Sequence, residues 1–140
     1  MRRPIYENES TLQAEKEFAK YAQQKLFCFL VKCPRSFQID FAATRKNQVV
    51  SFVEYRKRTN AFNDYPTFMI AASKKIAAQA INKASALPVY LFVRWTDYLG
   101  YTDLTNCKSS WSVGGRNDRN DPADFEPVIH IDLSEFKQFE

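Results

Sequence analysis

Phe37-Gln38-Ile39-Asp40-Phe41 and, eight residues further on, Val50-Ser51-Phe52-Val53-Glu54-Tyr55-Arg56-Lys57-Arg58 are the two stretches on which the fold turns. The first alternates apolar and polar residues and reads as a strand. Residues 44–48, Thr-Arg-Lys-Asn-Gln, make a polar turn, and Val49 to Tyr55 reads as a second strand, so the pair is predicted to form a hairpin. Strand side chains alternate between faces. Phe37, Ile39 and Phe41 therefore share one face, with Gln38 and Asp40 on the other. In the second strand Val50, Phe52, Glu54 and Arg56 share a face. Asp40 and Glu54 are single acids, each at the end of an otherwise apolar strand. On one face of a paired hairpin their carboxylates would crowd together, and two such groups repel unless a hard cation sits between them.

Upstream, a helix is predicted from about Ser10 to Leu26, with Asn8, Ser10 and Thr11 as candidate N-caps. At helical spacing Glu15 falls inside the apolar stripe of Phe18, Ala19, Ala22 and Leu26. A carboxylate on that face is costly unless it is paired, protonated or bound to a cation. It is either a buried salt bridge to an arginine or an acid turned toward a site between helix and sheet.

Downstream, Asn60 to Pro66 reads as a loop. Phe68 to Ser85 reads as an alanine-rich helix ended by Pro88. Its stripe of Met69, Ile70, Ile76, Ala77, Ala80, Ile81 and Ala84 leaves Lys74 on the border and Lys75 outside. Val89 to Thr96 is a strongly apolar strand, and Tyr98 to Leu104 is placed beside it. Residues 105–126 read as a long polar loop, Val128 to Leu133 as a short strand, and Ser134 to Phe139 as the start of a terminal helix. The order is α-β-β-α-β-β. A helix between strands two and three implies a crossover, hence an α/β (α+β) fold with a mixed central sheet flanked by helices, in one domain spanning residues 1–140. Trp95 and Cys28 are assigned to the core. Trp111 is either a stacking platform for a base or an anchor for its loop, and His130 is a surface or packed residue.

Composition narrows the function. The 140 residues are 45% hydrophobic and 26% charged with three glycines, which excludes disordered and collagen-like chains and the glycine-rich phosphate cradles. A single histidine excludes a multi-histidine metal centre. Three cysteines without CxxC spacing indicate neither a disulfide framework nor a zinc knuckle. The N-terminus lacks the apolar core of a signal peptide and no run is long enough to span a membrane, so a cytoplasmic protein is expected. The net charge of +4 is unevenly spread. Residues 42–86 carry eight Lys/Arg and two acids, whereas residues 97–140 carry four Lys/Arg and nine acids. A basic middle beside an acidic C-terminal third is either an ordinary solvated face or a surface that meets a polyanion, of which nucleic acid is the common one.

A helix acid, an Asp-ended strand, a Glu-x-basic strand, a lysine-bearing helix and an apolar strand, in that order, resemble the PD-(D/E)XK nuclease superfamily. Tyr65-Pro66 followed by Ser73-Lys74-Lys75 is similar to its small phage-encoded members. The likeness covers roughly residues 10–104 and implies a restriction-endonuclease-like fold and a metal-dependent DNA nuclease, in the host cytoplasm if phage-encoded. Asp40 and Glu54 would be ligands of Mg²⁺ or Mn²⁺, the Tyr55 carbonyl a third, and Glu15 the extra helix acid. Such small proteins often act as homodimers. The family's lysine falls at Arg56, and this is a departure. Arginine matches phosphate well but is a poor proton acceptor. Either metal-activated water alone supplies the nucleophile, or Lys74 substitutes, or the chain is a catalytically silent nucleic-acid-binding protein. A structural or interaction protein with salt-bridged acids is the remaining alternative. Arg45, Lys46, Lys57, Arg58 and Lys75 are assigned to phosphate contacts.

Overall fold

The computed structural model describes residues 9–115 and 125–139. Helix α1 (Glu9–Leu26) leads into edge strand β1 (Phe29–Lys32). Strands β2 (Phe41–Arg45) and β3 (Gln48–Lys57) form the hairpin expected from the sequence, turning at Lys46 and Asn47. Both turn residues have positive φ, 52° and 63°, as a two-residue type I′ turn demands. Strand β4 (Thr67–Ala71) then runs directly into α2 (Ala72–Ser85). Strands β5 (Val89–Arg94), β6 (Leu99–Asp103), β7 (Ser109–Gly115), β8 (Phe125–Asp132) and the short β9 (Lys137–Gln138) complete the chain.

Six strands form one sheet in the order β1-β2-β3-β5-β6-β9, and β4-β8-β7 form a second. β3 is the hub. It pairs antiparallel with β2 and parallel with β5, Glu54 opposite Leu91 and Arg56 opposite Val93. The intervening β4–α2 unit is the crossover that a parallel pair needs. Alternation along β3 and β5 builds two cores, one on each face of the large sheet. Val53, Tyr55 and Phe92 face α1, where Phe18 stacks on Tyr55 with ring centroids 4.3 Å apart. Val89, Leu91 and Val93 face α2 and the small sheet, against Phe68, Ile70, Ile129 and Ile131. The mixed sheet flanked by helices is thus present, and Trp95 and Cys28 are buried as expected.

Several elements differ from expectation. Phe37-Gln38-Ile39-Asp40 is not a strand. Pro34 is followed by a single 3-10 turn (Arg35–Phe37), and Gln38 adopts φ 73°. The turn sends Ile39 into the α2-side core and Phe41 into the α1-side core, onto opposite faces. The predicted start of the second helix, Phe68 to Ala71, is strand β4, with Phe68 and Ile70 buried and Met69 outside. Strand β1 was not anticipated. Part of the predicted loop at 105–126 is strand β7, and the terminal segment holds a 3-10 turn and β9 instead of a helix. Asn8 and residues 116–124 lie outside the described residues. No described helix is long and apolar enough to cross a membrane.

Candidate active site

The β2–β3 ladder ends at Phe41 opposite Val53. Beyond it the Tyr55 backbone N–H donates to Asp40 Oδ2 at 2.9 Å, so a side chain replaces the next rung of the ladder. The two strands separate at that point, and an open cleft of about 920 Å³ lies there, lined by Glu15, Lys32, Asp40, Glu54, Arg56 and Lys74 among others. Five residues singled out from sequence as catalytic therefore line one cleft. They come from α1, the turn before β2, β3 and α2.

Glu54 lies deepest and is 1% exposed. Its Oε2 receives Arg56 Nη2 at 2.9 Å and lies 3.4 Å from Lys74 Nζ. Its Oε1 is buried and has no partner. Burial first, and the neighbouring Asp40 charge second, raise its pKa to about 7, against the opposing pull of Arg56 and Lys74. Lys74 also donates to the backbone carbonyl of Gln38, so the left-handed turn at Gln38 helps to aim it. Arg56 Nε is buried without a partner as well.

Glu15 is buried, and Lys32 is one of its partners. Lys32 Nζ lies 2.7 Å from Glu15 Oε2 and 3.6 Å from Asp40 Oδ1. Lys32 escaped the sequence reading because it ends β1, a strand too short to show a pattern. Among the described residues no three His, Cys, Asp or Glu side chains gather into a metal-holding group. The neighbouring carboxylates in the cleft are those of Asp40 and Glu54. That pair still suits a hard cation, since an unpartnered buried carboxylate oxygen next to a second carboxylate needs a positive charge.

The assigned phosphate contacts divide. Lys57 is exposed and lines the cleft. Arg58 lines it too, but its guanidinium donates to the Met69 carbonyl at 3.0 Å and packs over the Phe68 ring, and burial lowers its pKa. Arg45 donates to the carbonyls of Leu26 and Phe27, closing the C-terminal end of α1. It and Lys46 sit at the opposite end of β3 from Glu54, about 20 Å away at ~3.3 Å per residue. Lys75 is corrected outright. It is buried, donates to the Cys107 carbonyl and to Ser109 Oγ, and offers no surface to a phosphate. The stripe that placed it outside borrowed Met69 and Ile70 from β4. On the actual α2 it is Lys75 that faces inward with Ala72 and Ala78, while Ile76 is exposed. His130 bonds with Ser112 and Thr67 on the small sheet, away from the cleft residues. Trp111 is largely exposed on β7.

A family model described as "Phage putative PDDEXK endonuclease" matches residues 1–139. No curated protein matches. Among solved structures, the Holliday junction resolvase Hjc of the archaeal hyperthermophile Archaeoglobus fulgidus is similar in fold, with TM-score 0.63, 8% identity, and 94% of this chain and 93% of that one covered.

Proposed function

The chain belongs to this phage PDDEXK endonuclease family, and from that footing we propose that it is a divalent-metal-dependent DNA nuclease acting in the host cytoplasm. One observation carries the reading. Glu54 Oε1 is buried and unpartnered beside Asp40, in a cleft that also presents cationic side chains. Asp40, Glu54 and the Tyr55 carbonyl would hold Mg²⁺ or Mn²⁺. When bound, the ion supplies activated water and offsets charge on the phosphate. The rest falls to side chains. Arg56 and Lys74 share Glu54 Oε2, so both stand where charge develops on a phosphodiester in the cleft, and both can donate to its oxygens. Arginine cannot take a proton from water. The usual lysine position holds Arg56, and the relay is assigned instead to Lys74, which reaches Glu54 from α2. Glu15 acts through its ion pair with Lys32. Lys57 at the rim contacts the backbone of the strand. The apolar residues Phe29 and Val31 on edge strand β1 are exposed and support assembly into a homodimer acting on two strands.

The test is incubation of the full chain with single-stranded, duplex and branched DNA, with Mg²⁺, with Mn²⁺ and with chelator. Hydrolysis of at least one substrate, lost with chelator, is expected. Salt-dependent binding without cleavage under every condition would select the silent alternative, which the arginine at position 56 favours.

A further inference from the structure

We propose that the ammonium of Lys32 is a built-in cation that takes the place of a second metal ion, so that the cleft holds a single divalent ion. The inference rests on the metal-dependent reading above and specifies how that site works. Glu15 and Asp40 are the two acids that a second ion would share with the first. The space between them already contains Lys32 Nζ, 2.7 Å from Glu15 Oε2 and 3.6 Å from Asp40 Oδ1. The ammonium is held from a third side by the Phe41 ring, whose centroid is 5.5 Å away. The other oxygen of Asp40 accepts from the Tyr55 N–H. The carboxylate oxygen without a hydrogen-bond partner is Glu54 Oε1, and a single divalent ion is assigned to it.

Charge counting points the same way. With Glu54 ionised, the acids Glu15, Asp40 and Glu54 are balanced by Lys32, Arg56 and Lys74, so these six side chains are neutral together. One divalent ion adds positive charge to a cleft that Arg35, Lys57 and Arg58 already make basic, enough to meet a phosphodiester gaining a second negative charge as it is attacked. A second would add as much again and lie directly against the Lys32 ammonium. Lys32 lines the cleft and its side chain is partly exposed there. Glu15 is then a positioning residue for Lys32.

The experiment is calorimetric titration of Mn²⁺ into the full chain, with electron paramagnetic resonance of the loaded protein, for wild type, Lys32→Met and Lys32→Arg. Wild type and Lys32→Arg are expected to bind one Mn²⁺ per chain, with an uncoupled spectrum. Lys32→Met is expected to bind two, with the spectrum of a coupled pair. Two ions in wild type, or one in a folded Lys32→Met variant, overturns the role of Lys32 while leaving the metal-dependent reading standing. No Mn²⁺ bound by wild type overturns both. If Lys32→Met does not fold, the wild-type and Lys32→Arg stoichiometries decide alone.

Discussion

Glu54 is the residue at which burial and chemistry conflict most sharply. Its pKa is about 7 in the folded chain against an ordinary 4.5. Between those values the folded state binds more protons than the unfolded state, so stability present below pH 4.5 is lost as pH rises through 7. Without metal the complete loss is about 3 kcal/mol. Glu54→Gln should flatten that slope, and Mn²⁺ should restore stability to wild type above pH 7, as urea unfolding across pH 4.5–8 would show. Equal slopes for the two proteins would contradict the burial argument. Lys74→Met should lower kcat by about 10²–10³-fold, the usual cost of one group lost from transition-state charge stabilisation, while Arg56→Lys should retain activity. The acids were legible in the sequence because single carboxylates among apolar residues are conspicuous, whether the segment becomes helix, turn or strand. Lys32 was not, because an ion pair from α1 to β1 leaves no local pattern.

Among the elements, β3 and β5 were readable because long runs of β-branched and aromatic residues have one strong preference. Thr67-Phe68-Met69-Ile70-Ala71 was not, since a short apolar run ahead of an alanine-rich segment satisfies helix and strand periods alike. Pairing with β8 decides it. That single boundary also inverted the placement of Lys75. Lys75→Met should destabilise the fold by ~1–3 kcal/mol through lost charged hydrogen bonds and leave DNA affinity unchanged. A phosphate-contact role would produce the reverse in denaturation and binding assays. Ala86, which closes α2 at φ 61°, offers a gain. Glycine there should stabilise the chain by about 0.5–1 kcal/mol in the same assay.

For the whole molecule, the uneven charge distribution suggests a polyanion as partner but does not mark a footprint. Three of the eight basic residues in the middle segment are engaged by the fold itself, Lys75 by the Cys107 carbonyl, Arg58 by the Met69 carbonyl and Arg45 by the end of α1. Of that segment, Lys57 is the lysine that is both exposed and at the cleft. Lys57→Glu should therefore weaken DNA binding and reduce its salt dependence by a slope of about one, and Lys46→Glu, at the far end of β3, should do neither. The measurement that bears most directly on the whole is the rate of Mn²⁺-dependent DNA hydrolysis by wild type and by Asp40→Asn/Glu54→Gln, both shown to be folded by circular dichroism. Wild type should cleave and the double variant should be inactive. Cleavage by the double variant at a rate comparable to wild type would contradict the placement of the active site in this cleft.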